Sequence, residues 1–268
     1  MMIVHRVRPF VVFLAAFLAI GSSLWLGDRL DQSASPIEPA YFLPIGLTFA
    51  IWGLIFLTGF LYACYQFLPS QQSRPIHAQI GWWMALTNGL TAGWNGTAGH
   101  AGTLGTPAFR AEYVVLTVFI LAIMLGVLTY VLLLLRKHRS LLAAPDQWFI
   151  EFPVLLFFAW LNVAAIANMT AALMALGFTG APYGAWWAVG MIGIATIVSL
   201  TMLHVMPTRF TLWVYAAVIG WGLIGIGINN LDRSLAVVAA CSGAIMVVGI
   251  GSVLQRSRLH ARTLHQGS

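Results

Sequence analysis

Apolar residues run along this chain in long blocks, separated by short polar interruptions. Each block is close to the roughly 20 residues a helix needs to cross the hydrocarbon core of a bilayer. The pattern predicts eight spanning helices, over residues 9–27, 43–67, 78–102, 113–135, 148–176, 184–204, 210–228 and 234–254. Within the second block, the stretch PIGLTFAIWGLIFLTGFLYACYQ (44–66) carries no charge. Pro44, Thr48, Trp52, Phe56 and Gly59 follow one another at steps of three or four, so they share one helix face. A helix bathed in lipid needs no aromatic and polar stripe. That face is expected to meet another helix or a bound flat molecule.

The third block is the least apolar, with Asn88, Asn95, His100 and the glycines 81, 89, 93, 96, 99 and 102. Small residues let helix backbones approach closely, and they also leave room for a ligand. The seventh block repeats the theme with Gly220, Gly222, Gly225 and Gly227. The fifth block carries Trp160 and Asn168 eight residues apart, roughly on one side, with Asn162 nearly opposite Trp160. Polar groups on both sides of a membrane helix imply burial on both sides, which makes this span central.

Composition agrees with this class. Of 268 residues, 60% are hydrophobic and 7% charged, whereas a soluble domain carries about 25% charged residues. The chain reads as all-α, a polytopic membrane helical bundle. Its net charge of +6 is then a matter of topology, not of nucleic-acid affinity. With a cytoplasmic N-terminus, the inside segments hold Arg6, Arg8, Arg74, Arg136, Lys137, Arg139, Arg209, Arg256, Arg258 and Arg262. The outside segments hold Arg29, Arg110 and Arg233, an asymmetry of the kind the positive-inside rule requires. Both termini are expected in the cytoplasm, the first span is expected to be a retained helix, and residues 255–268 a short basic tail. Cys64 and Cys241 lie in apolar segments and offer neither a disulfide framework nor a metal set.

Seven tryptophans (Trp25, Trp82, Trp83, Trp148, Trp186, Trp187 and Trp213) fall near span ends, where interfacial belts form. Trp52, Trp94, Trp160 and Trp221 lie deeper, together with Asn88, Asn95, Asn162 and Asn168. An unpaired amide in hydrocarbon is costly, so these side chains are expected to face the bundle interior. Charge is nearly absent from the spans. Glu151 is the one acid that enters, with Arg136, Arg209 or water as its expected partner. His100 and His204 read as the only histidines within or bordering spans. They sit towards opposite faces, so they cannot clamp one haem iron, and each is expected to be hydrogen-bonded locally. This scarcity argues against an ion-coupled pump, which needs acids or histidines along a path. No nucleotide loop, zinc spacing or catalytic constellation is visible.

Two stretches carry a family likeness. Pro44, Gly46, Phe49, Trp52, Phe56 and Gly59 resemble the P-x-G-x-x-F-x-x-W signature and following glycine of the TspO/translocator proteins, the tryptophan-rich sensory proteins. Pro153, Trp160, Ala164 and Asn168 resemble that family's fifth-helix pattern. In the third span, either Asn88 or Trp94 matches the family's Asn–Trp pair without a gap, but not both. The resemblance covers about residues 5–176. It implies a TspO-like five-helix membrane domain (1–176), with three additional helices (177–254) and the tail beyond. It further implies a pocket between helices with Phe49, Trp52, Asn88, Trp94, Trp160 and Asn168 as ligand-binding candidates, and Asp28–Phe42 as its lid. The ligand implied is a tetrapyrrole, porphyrin or haem, or a similar lipophile, with no cofactor required and a homodimer as a possible assembly. The setting implied is a bacterial inner membrane. Light-assisted porphyrin breakdown at Trp52 and Trp160 is the one enzymatic option. A small-solute or lipid permease, and a structural membrane partner, are the alternatives that eight spans and glycine-rich helices leave open.

Overall fold

A computed structural model of the chain describes residues 2–26, 37, 40–178, 180 and 182–266, with side chains described between residues 7 and 260. Among the described residues eight long helices follow one another: α1 (Met2–Leu26), α2 (Ile51–Tyr65), α3 (Pro75–Gly99), α4 (Ala111–Lys137), α5 (Phe152–Ala175), α6 (Gly184–Val205), α7 (Arg209–Asn229) and α8 (Leu235–Gln266). A 3-10 turn, Gly46–Ala50, leads into α2, and a π turn, Gln147–Glu151, leads into α5. No strand occurs among the described residues. The chain is an all-α polytopic membrane protein, and each expected span coincides with a helix.

Seven of these helical segments are long and apolar enough to cross a membrane. The exception is α3, and its packing explains why. Its buried residues include His77, Gly81, Met84, Asn88, Thr91 and Asn95, a run of alternating four- and three-residue steps that forms one stripe. The stripe it buries is its polar one, while Trp82, Trp83 and Leu86 stay exposed. Low mean hydropathy here marks an inward-facing polar face rather than a loop.

The chain forms two compact units, Met1–Glu38 with Ile51–Phe158, and Pro39–Ala50 with Ala159–Ser268. In the first, α1 packs on α2 and α3, and α3 packs on α4. Phe13 of α1 sits 5.3 Å from Phe60 and 5.9 Å from Phe67 between ring centroids. In the second, α6 and α7 pack on α8, and α7 holds the 3-10 turn. The division between these units falls within α5. The α5 span is 72% buried, against 28–56% for the other six, as expected for a helix with polar groups on both sides.

Four sequence expectations change. The basic end of the chain, expected as a short tail, is helical: α8 runs on to Gln266. Hydropathy detects where the membrane ends, whereas Arg, Gln, Leu and His sustain a helix beyond it. Glu151 pairs with Arg139 at 2.7 Å, rather than with Arg136 or Arg209. Arg8, read as a topological charge, is buried. His77 is a third histidine at a span, because α3 begins at Pro75, a favoured first helical position. Most of the expected lid, Asp28–Phe42, lies outside the described residues.

Candidate functional site

In the first unit, the aromatic stripe of α2 packs against other rings. Trp52 stacks on Phe56 one turn later, with centroids 5.7 Å apart and planes at 28°. It also stacks on Trp94 of α3, at 6.0 Å and 22°, and meets the edge of Phe157 of α5 at 5.6 Å and 75°. All three separations lie in the range in which aromatic pairs attract. Of Asn88 and Trp94, it is Trp94 that stands against Trp52. Asn88, six residues earlier, points about 120° away around the helix.

Two donors here lack acceptors. Trp94 is half-buried, but its Nε1 is sealed from solvent and makes no hydrogen bond among the described residues, and the Nδ2 of buried Asn88 is likewise unpartnered there. A sealed donor without an acceptor costs about 1–3 kcal/mol. Asn95, in contrast, donates to Ser22 Oγ at 2.9 Å, which is a helix-to-helix tie. The local hydrogen bonding expected of the two histidines is present: His100 Nδ1 faces Gly96 O at 2.6 Å and His204 Nδ1 faces Leu200 O at 2.7 Å.

In the second unit, Phe49 meets Trp160 edge-on, at 5.9 Å and 89°. Trp160 is buried and Asn168, two turns on along α5, is half-buried. The candidate residues therefore divide as Trp52, Asn88 and Trp94 in one unit, and Phe49, Trp160 and Asn168 in the other.

The segment carrying Pro44, Gly46 and Phe49 is tied to α7 by contacts that sequence reading missed. Ile45 N donates to Gly225 O at 3.2 Å. Trp221 Nε1 donates to Thr48 O, Asn229 Nδ2 to Leu43 O and Asn230 Nδ2 to Tyr41 O, each at 2.8 Å. The segment before α2 runs through turns and a 3-10 stretch, and α7 supplies side-chain donors to three of its backbone carbonyls. Gly225 is required by contact, since a Cβ there would run into the Thr48 side chain. A Cβ on Gly222 would come within 2.9 Å of Val163. The signal in the sequence was the paired Asn229–Asn230 at the end of an apolar span. Beside this segment, Tyr41, Phe42, Thr170, Met174, Trp187 and Met191 line a shallow, half-open crevice.

Among the described residues, no three His, Cys, Asp or Glu side chains gather as metal ligands. What the first unit offers is a cluster of packed rings around Trp52, with a sealed indole donor at Trp94.

Compared with known proteins, the chain matches no curated protein and no solved structure. A family profile described as TSPO-like protein matches residues 7–254. The match extends well beyond the 5–176 carried by the two motifs and takes in α6, α7 and the membrane-length part of α8. It includes the helix whose Trp221, Gly225, Asn229 and Asn230 hold the motif segment. On this match, the chain belongs to the TSPO-like protein family.

Proposed function

We propose that this membrane protein captures a flat lipophile of the tetrapyrrole class, acting as a sensor or carrier, with Trp52 and Trp94 as its principal ring contacts. The observation that carries the reading is the stacked Trp52–Trp94 pair with the sealed, acceptor-less Trp94 indole N–H. A tryptophan serving only as packing normally finds its N–H a partner. Asn88, on another face of α3, is a further candidate contact with a buried amide donor. Phe49, Trp160 and Asn168 are a further set of candidate contacts, on the strength of the motif likeness. The asymmetry of basic residues supports a bacterial inner-membrane setting with both termini in the cytoplasm.

The test is an absorbance titration of detergent-purified protein with protoporphyrin IX, following the porphyrin band. Saturable binding is expected. Trp94→Phe, which keeps a ring but deletes the donor, is expected to weaken it about two- to tenfold. Trp52→Ala is expected to weaken it by at least as much, because it removes the central ring. Equal affinity in all three proteins, or no saturable binding, would overturn the reading and turn attention to solute flux in proteoliposomes.

A further inference from the structure

A second group of polar residues lies in the first unit, where α1, α2 and α3 meet. Tyr62 of α2 and Gln66, which directly follows that helix, are one turn apart and share a face. His77 and Gly81 stand in the same relation on α3. Arg8 of α1 reaches into this space. Its Nε donates to Gln66 Oε1 at 3.2 Å, and its stem lies where a Gly81 Cβ would be, 2.6 Å from Arg8 Cδ. The rings of Tyr62 and His77 are 6.0 Å apart, and the Arg8 charge acts on both.

Arg8 is 1% exposed and Tyr62, Gln66 and His77 are 0% exposed. Even so, Arg8 Nη2, Tyr62 Oη, Gln66 Nε2 and His77 Nδ1 have no hydrogen-bond partner among the described residues. A guanidinium cannot shed its proton, so this is a permanent buried charge. The ion pairs among the described residues are Arg74–Asp146, Arg110–Glu112 and Arg139–Glu151, and Arg8 is in none of them. The neighbouring carboxylate, Asp146, is already engaged by Arg74, Tyr65 and the Ala143 amide.

Donors outnumber acceptors here. Arg8 Nη2, Gln66 Nε2 and Tyr62 Oη can all donate. His77 Nε2 faces Gln71 Oε1 at 3.2 Å, an oxygen that also accepts from Arg74 Nη1. The His77 Nε2 therefore carries the hydrogen, and neutral His77 keeps an acceptor lone pair at Nδ1. Water alone can fill the hydrogen bonds but leaves the charge uncompensated, and an uncompensated buried charge is strongly unfavourable. A small anion, with a water donating to His77, answers both. We propose that Arg8, Tyr62 and Gln66 form a binding site for a small monovalent anion, of chloride or short-carboxylate size.

The experiment is a thermal-unfolding series on the detergent-purified full chain, in sodium gluconate at fixed ionic strength, with chloride or acetate substituted stepwise. A saturable rise in unfolding midpoint is expected, since a ligand that binds only the folded state stabilises it by mass action. Comparison of the two series identifies the preferred anion. Arg8→Met is expected to abolish the dependence, while Arg110→Gln, at an exposed arginine, keeps it. Tyr62→Phe retains the ring and deletes one donor, and is expected to raise the half-saturating concentration about tenfold or more. A wild-type midpoint indifferent to the anion would overturn the proposal. Should Arg8→Met not fold, Tyr62→Phe decides, and an unchanged half-saturation there would overturn it equally.

Discussion

One hydrogen atom distinguishes glycine from what alanine would present at position 225, and Thr48 occupies that space. Gly225→Ala is therefore expected to destabilise the protein by about 1–3 kcal/mol, the usual cost of overpacking, despite alanine's better helix propensity. Gly220→Ala, where nothing lies within 4 Å of the added carbon, is expected to stay within about 0.5 kcal/mol of wild type. Denaturant midpoints of both variants in micelles check the contrast. The sequence marked both glycines as belonging to a small-residue span and could not tell them apart, because the difference lies in a partner more than 170 residues away. The same limit applied to the Asn88–Trp94 ambiguity. Helical periodicity orders residues around one axis, and that Trp94 is the one facing the indole of Trp52 is a matter of packing between helices. Arg8 illustrates the converse, since a basic residue at a span end reads as topology until its neighbours are known.

At the scale of elements, hydropathy located all eight helices, because length and apolarity are properties of a single segment. It underrated α3, whose buried stripe is polar, and ended α8 early, because lipid contact stops before the helix does. It also had no means of finding the tie between the turn before α3 and the turn before α5. There Arg74 donates to both Asp146 oxygens, at 2.7 and 2.5 Å, and Tyr65 Oη donates to Oδ1 at 2.9 Å. Burial alone would raise the Asp146 carboxyl, but hydrogen bonds from Arg74, the Ala143 amide and Tyr65 outweigh it and hold it below its ordinary value. The Arg74 guanidinium is raised in turn, chiefly by its hydrogen bond to Asp146. A depressed carboxyl contributes stability that is complete above its unfolded value, about 3.9, and is lost as pH falls through the still lower folded value. Asp146→Asn is accordingly expected to lower the unfolding midpoint by a constant amount from neutrality down to about pH 4. Below that, the gap to wild type is expected to narrow. A pH series of thermal melts on the two proteins measures this, and a gap that widens on acidification would contradict the assignment.

For the whole molecule, α7 supplies donors to the backbone carbonyls of Tyr41, Leu43 and Thr48. A chain ending after residue 176 keeps both family motifs but lacks these donors. It is expected to be cut by chymotrypsin within residues 40–50 under conditions that leave the full chain intact there. Mapping the fragments by mass spectrometry is the check. The eight-helix count carries a second expectation, that both termini lie on one side of the membrane. A C-terminal green fluorescent protein fusion should fluoresce and a C-terminal alkaline phosphatase fusion should be inactive, with the opposite pattern if α3 does not cross.

The tie between the 3-10 segment and α7 also bears on synthesis. Thr48 and its donor Trp221 are 173 residues apart in the chain, and Tyr41 and Asn230 are 189 apart. At about 5–20 residues per second, the carbonyls of the segment emerge roughly 9–38 s before their donors. For that interval the start of the second span must be kept in water, in the insertion machinery or in provisional pairings, and its final shape is settled only when the seventh helix has been delivered to the bilayer.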